Sequence, residues 1–483
     1  MPSSICWKCL STTLTQPLRH GSIKPRIPIY LPTLAFSTTP SFQLPLPAKK
    51  SSGVKVTPKK GTKSLVIKKG KFQAENRARR PAPGERKALR KRIVLSNVNA
   101  LEVQGMQNIE VENMSDQRVE GQVLRLPGPI VDQLRAVEAF KPTQSWGLFQ
   151  SPGTLMRRET VDMGKLIADM SGEEGGSRRT VKMVLVGEKG SGKSMMLLQA
   201  MTMAFLKGWT VINLPEAQDI TIGHTSYQPL PSSPPSYIQP AYLTNLLRNL
   251  PTANPHLESL QFSQPTSSDL PIPIPPNISL ARLASLGASD PEIAYPIFNL
   301  LITELLSPGR PPVFLGLDGL AHAMQDGTGY TAPNLKPIHP YQLMILEWYF
   351  KFLAGRRRLP NGGIVMAATS QSNAPKVPSL DLALSKLEGS VVTRAGQTVP
   401  QKERNPFMRY DERVMDTLKP GRGIQVQRLP GLSKEEARGL MEYWAKSGMV
   451  RERVSEGLVA EKWAVSGGGV VGELERAVIR MRV

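Results

Sequence analysis

The sequence predicts an α/β fold in which a parallel sheet is flanked by helices. Three observations carry this expectation. An apolar run from Val181 to Val186 leads into a glycine-rich turn and then into a proline-free stretch, 195–206, of helical composition. A second apolar run over 313–318 ends in Asp318, and a third over 363–371 ends in polar side chains. Helical patterning separates the runs, and strands alternating with helices at this spacing share one parallel sheet.

The first 95 residues are expected to stay outside that sheet. They hold 21 Lys and Arg against two acids, Glu75 and Glu85, and so carry 19 of the chain's 22 net positive charges. Residues 1–45 lack acids and are rich in Ser, Thr and basic residues, which is the composition of a mitochondrial transit peptide. Ile5, Cys9, Leu10 and Leu14 pattern one short amphipathic helix, broken by Pro17. Cys6 and Cys9 form a C-x-x-C without the second pair of ligands that a structural zinc needs, so they read as incidental to the leader.

Residues 46–95 read as a disordered basic arm, too poor in apolar side chains to bury a core. Such an arm seeks phosphate, RNA first and an anionic membrane surface second. Phe72 is its lone aromatic, which argues against a base-stacking RNA module. No apolar run reaches the ~18 residues of a transmembrane segment.

Residues 96–175 form a lead-in region with a short helix over 131–140 and ordered loops at 145–149 and 154–158. A polar, glycine-rich linker, 171–177, follows. Residues 176–390 are the predicted nucleotide-binding core. Here Gly187, Gly192, Lys193 and Ser194 fit G-x-x-x-x-G-K-[ST], the P-loop pattern, between the strand and the helix that the motif requires. Glycines let the backbone turn its N–H groups onto an anion, Lys193 reaches the outer phosphates, and the Ser194 hydroxyl ligates Mg²⁺. The nucleotide-binding set is Gly187, Glu188, Lys189, Gly190, Ser191, Gly192, Lys193, Ser194 and Met195.

A second strand spans 209–214. The stretch 221–280 is dense in Pro and Ser, with one helix at 241–250, and reads as a long surface excursion. Helices near 279–286 and 291–306 precede the strand that ends in Asp318, a Walker-B pattern whose carboxylate would hold Mg²⁺ with Ser194. An amphipathic helix, 340–354, ends at Arg356, Arg357 and Arg358; these could pair with phosphates of a nucleotide or of RNA, but compensation of the helix terminus plus a solvated turn is the preferred reading. The strand after it ends at Thr369 and Ser370, candidates for sensing a γ-phosphate; strand-end hydrogen bonding is the other reading of those hydroxyls. Residues 391–483 read as a small, mainly helical C-terminal domain. It holds a strand at 424–429, a capping box from Ser433 to Glu436 and a last helix over 471–481.

The P-loop, the Leu317-Asp318-Gly319-Leu320 element and the Ala368-Thr369-Ser370-Gln371 strand end together resemble one family, mitochondrial small-ribosomal-subunit proteins of the death-associated protein three type. Residues 213–218 and the helix 436–446 with its Tyr443-Trp444 pair add to the likeness, which covers about residues 120–483. The resemblance implies an AAA-like P-loop NTPase core in the head of the mitochondrial small ribosomal subunit, in the matrix. It implies a guanine nucleotide, GTP or GDP, and Mg²⁺. Partners would be the small-subunit rRNA, neighbouring ribosomal proteins and the face of the large subunit. The base rests on the resemblance alone: no N-K-x-D motif is present, and ATP stays open.

Gly319 stands where active AAA ATPases place a glutamate to activate water, and no replacement general base is evident. Nucleotide binding with slow or absent turnover is therefore expected, the nucleotide stabilising the core by mass action. Two other readings stay open: an active GTPase or ATPase switch in mitochondrial ribosome assembly, and a membrane-associated AAA-like regulator.

Overall fold

The computed structural model describes residues 93–171, 178–263, 273–275, 277–389 and 402–479. The expected transit peptide (1–45), the basic arm through residue 92 and nearly all of the linker at 171–177 lie outside the described residues, as does the start of the expected C-terminal domain. The described chain opens with β1 (Val123–Arg125), α1 (Gly128–Ala136), β2 (Gly153–Leu155) and α2 (Arg158–Met170). There follow β3 (Thr180–Gly187), α3 (Lys193–Leu206), β4 (Thr210–Leu214), α4 (Ala217–Thr221), β5 (Gln228–Pro229) and β6 (Tyr237–Ile238). Next come α5 (Pro240–Ala253), α6 (Leu280–Ser289), α7 (Ala294–Leu305), β7 (Val313–Asp318), α8 (Leu320–Ala323), α9 (Met344–Leu353) and β8 (Gly363–Ala368). The last elements are α10 (Pro378–Glu388), α11 (Glu412–Thr417), β9 (Ile424–Leu429), α12 (Lys434–Lys446), α13 (Glu456–Val465) and α14 (Val471–Val478).

Five strands form one sheet in the order β4-β7-β8-β3-β9, and every pairing is parallel. Alternating side chains send two apolar sets in opposite directions. Val184, Ile212, Leu315, Leu317, Val365 and Ala367 join one core, while Met183, Leu185, Val211, Phe314, Ile364 and Met366 join the other. A sheet covered on both faces needs strands apolar on both sides, which is why β4, β7 and β8 are buried at every position. Helices α5, α6, α7 and α9 fill the first core, and α1, α2 and α3 the second. Helix α3 is buried almost all round, from Met196 to Phe205.

After β3 the chain crosses to the far edge, returns strand by strand through β7 and β8, and later places β9 on the other side of β3. The order reverses at β3, so the crevice of this sheet opens at the carboxyl end of that strand, where the glycine-rich turn lies. Among the described residues no helix is long and apolar enough to cross a membrane.

Two expectations are corrected. The strand Ile424–Leu429, assigned on sequence to a separate C-terminal domain, is the fifth strand of the central sheet, parallel to β3 from Lys182↔Ile424 to Gly187↔Leu429. It is an edge strand paired with β3 alone, buried at its two ends, Ile424 and Leu429, and exposed or half-buried between them. Only the helices beyond it form a separate cluster, packed with Phe149 and Leu155 of the lead-in region. The Pro/Ser-rich stretch 221–280 is no surface excursion where it is described. Leu230, Ile238, Leu243, Leu247, Leu250, Leu257 and Ile278 are all buried in the main core, and α5 packs directly along α6.

The capping box at Ser433 forms as the sequence indicated: Ser433 Oγ accepts from the Glu436 amide (3.1 Å) and Glu436 Oε2 from the Ser433 amide (2.8 Å). Glu436 Oε1 also accepts from the Arg158 amide (3.0 Å), so one carboxylate ties the start of α12 to the start of α2.

Candidate functional site

The turn between β3 and α3 is shaped by what its glycines lack. A β-carbon on Gly187 would sit 2.7 Å from the Leu429 carbonyl oxygen and 2.7 Å from Ser191 Oγ. Gly192, the N-cap of α3, has φ +96°, a conformation open to glycine at little cost. The turn leaves donors over. The Ser191 amide donates to Glu188 O (3.3 Å) and the Met196 amide to Gly192 O (2.9 Å). The amides of Gly190, Gly192, Lys193 and Ser194 have no acceptor among the described residues. Unpaired amides at the positive end of a helix make a site for an anion.

The charged groups surround that turn. Lys193 Nζ donates to Gly187 O (2.8 Å) and Glu188 O (2.6 Å). Burial pulls its ammonium down to about 8, against the opposing attraction of Asp318 and Glu188. Ser194 Oγ donates to Asp318 Oδ2 (2.7 Å), and Lys141 Nζ lies 3.3 Å from the same oxygen. Lys141 also donates to Pro215 O at the end of β4. Arg157, buried, donates through Nη1 to Ser191 O (2.8 Å) and through Nη2 to Pro430 O (2.8 Å), bracing the turn against the end of β9.

A cavity of about 470 Å³ opens beside the turn. Of the nine residues expected to bind nucleotide, Lys189, Gly190, Gly192, Lys193, Ser194 and Met195 line it. Gly187, Glu188 and Ser191 do not; they shape the turn from behind, and Asp318 bears on the cavity through Ser194 and Lys141. Thr369 and Ser370 both line it. The Thr369 hydroxyl donates to Leu185 O (2.9 Å), the carbonyl that also accepts the Thr369 amide (3.0 Å), so its proton is committed to the strand end. Ser370 Oγ donates to Ser372 O and accepts from the Ser372 amide, both 3.3 Å.

Sequence reading missed part of the wall. Gln144 Oε1 accepts from the Lys141 amide (2.8 Å) and from Trp146 Nε1 (2.6 Å), fixing a corner of the lead-in region over the cavity. The Gly472 amide donates to Gly190 O (3.0 Å), bringing the start of α14 onto the turn. Trp146 and Arg157 fell inside segments expected to be ordered. Lys141 and Gly472 had no local signal, because the groups they meet lie far off in the chain.

Chemically, the cavity offers unpaired amides, three lysines and a hydroxyl, a set suited to a polyphosphate. Ser194 and Asp318 supply hard oxygens of the kind that would hold Mg²⁺ beside a phosphate, an ion that needs few protein ligands there. No group of three His, Cys, Asp or Glu able to hold a metal by itself occurs among the described residues. Beyond Asp318 the chain turns through Gly319 at φ +84°, whose amide donates to Ala368 O (3.0 Å), and no carboxylate follows.

Residues 154–477 match the sequence model of the family described as mitochondrial ribosomal death-associated protein 3. The chain is 43% identical over 424 residues to the small ribosomal subunit protein mS29 of Neurospora crassa, an alignment covering 87% of this chain and 86% of that protein. It is 23% identical over 361 residues to the protein of the same name from Schizosaccharomyces pombe, covering 72% and 69%.

Proposed function

The chain belongs to the mitochondrial ribosomal death-associated protein 3 family, and from that premise we propose that it is a structural component of the mitochondrial small ribosomal subunit, in the matrix, holding a purine nucleotide as a structural ligand. The likeness to the Neurospora protein along nearly the whole of both chains supports the ribosomal part. The nucleotide part rests on one observation: four amides without acceptors and the Lys193 ammonium meet at one cavity.

In this reading the turn is a P-loop. The amides of Gly190, Gly192, Lys193 and Ser194 receive phosphate oxygens, and Lys193 leaves its loop carbonyls for them. Mg²⁺, when bound, neutralises the phosphates; Ser194 and Asp318 are the side chains that would hold it. The ligand is GTP or GDP by family, with ATP as the alternative. Turnover is slow or absent, since Gly319 carries no base. The neighbours are small-subunit rRNA and ribosomal proteins, with the large subunit across the joining face.

Gradient sedimentation of mitochondrial extract tests the placement. The chain is expected to travel with the small subunit; recovery only in free or membrane fractions overturns it. Lys193→Ala is expected to lower nucleotide content without removing the chain from the subunit.

A further inference from the structure

The parallel strands begin at one edge of the sheet, opposite the cavity, and that edge is basic. Arg178 and Arg179 lead into β3, Lys182 lies on it, Arg356 and Arg358 follow α9, and Lys419 and Arg422 precede β9. Direct contacts and close backbone approaches bring part of this set together. Lys182 Nζ donates to Arg422 O, and Arg422 Nη1 donates to Ala354 O (3.0 Å). A β-carbon on Gly355 would fall 2.7 Å from Lys182 Nζ, and one on Gly362 would fall 3.4 Å from Arg178 Cα.

Compensation is sparse. Asp416 pairs with both Arg356 and Arg422. Arg178, Arg179, Arg358 and Lys419 are exposed and have no acidic partner among the described residues; Glu173 and Glu174 lie outside those residues. Lys182 is held below the ordinary lysine value by burial first, then by Arg358 and Arg422. Folding gains nothing from such crowding, so a polyanion that neutralises it stabilises the assembly.

We propose that this amino edge of the sheet binds an RNA phosphate backbone. The inference rests on the ribosomal reading for the identity of the RNA. The chemistry favours RNA over an acidic protein. Arginine guanidinium forks match phosphate oxygens. A protein interface is centred on apolar side chains, yet the exposed large apolar residues, such as Phe407, Val98, Leu335 and Val465, all lie in other segments. Among the described residues no exposed aromatic there is placed to stack a base, so contact is to phosphates without sequence choice. The strands nearest this edge, β3, β8 and β9, are six to eight residues long and put it about 20–25 Å from the cavity, leaving the nucleotide site clear of the RNA.

The test uses the full-length chain and the double variant Arg178→Glu/Arg358→Glu, at two exposed positions. Binding to a mixed-sequence single-stranded RNA is measured against salt. Each lost phosphate contact flattens log K against log[salt] by about 0.7, so a fall of roughly 1.4 in slope is expected. An unchanged slope with a native melting curve overturns the proposal. Photo-crosslinking within purified small subunits is expected to place nucleotides on peptides spanning 178–182 or 356–358; crosslinks from those peptides to acidic proteins alone overturn it too. Failure of the ribosomal reading has a different signature: the wild-type chain misses the subunit while the salt slope still responds to the variant.

Discussion

Raising the pH above neutrality is expected to weaken nucleotide binding through one ammonium group. In the free chain Lys193 titrates at about 8, because burial opposes its charge. Phosphate oxygens beside it favour the charged form and raise that value in the complex. Binding above about pH 8 therefore takes up a proton. Roughly nine-tenths of free chains carry the charge at pH 7 and about one-tenth at pH 9, so the dissociation constant grows about tenfold, or ~1.4 kcal/mol. Titration with a fluorescent guanine nucleotide from pH 7 to 9 at fixed ionic strength reads this directly. Lys193→Arg, whose side chain stays charged throughout, is the control; it binds more weakly but with a flattened profile, and it carries any change in the ligand itself. A wild-type profile as flat as the arginine variant's refutes the placement of Lys193 at the phosphates. Without ligand the sign reverses. The folded value lies below the unfolded 10.5, so the unfolded chain binds more protons between about 8 and 10.5 and this group's contribution to stability rises with pH across that window.

Gly187→Ala is expected to lower the melting temperature and reduce nucleotide content together, since the new methyl meets the backbone oxygen of Leu429; overpacking of this kind costs about 1–3 kcal/mol. Leu247→Ala, in a helix once expected to be superficial, should destabilise by about 2–5 kcal/mol in chemical denaturation, because Leu247 is fully buried; a cost under about 0.5 kcal/mol would place α5 at the surface after all. Gly319→Glu should not create turnover in a single-turnover assay, since the left-handed backbone at φ +84° costs a side chain about 1–2 kcal/mol and misdirects it.

The sheet was legible because its strands carry local signals. Val184 and Val186, Leu317 and Asp318, and Ala367 and Ala368 each sit in an apolar run bounded by turn residues; β3, β7 and β8 form at those runs, and β4 forms within the strand expected over 209–214. β9 was legible as a strand and not as a partner of β3: Gln425 and Gln427 give it the half-polar look of a peripheral element, which an edge strand shares with a strand of a separate domain. Proline content misled over 221–280, where Pro240 starts a helix and the buried Leu243, Leu247 and Leu250 recur at helical spacing behind it. At the cavity the turn itself was readable from glycine spacing. Lys141, Arg157 and Gly472 were not, because nothing near them in sequence records that they meet Asp318, Ser191 and Gly190.

The most direct measurement is the nucleotide released when purified native small subunits are denatured, quantified against this chain. One guanine nucleotide per copy, lost in subunits carrying Lys193→Ala, is the expected result. Wild-type subunits that contain the chain in full amount and release no purine nucleotide would contradict a phosphate-holding role for residues 187–194.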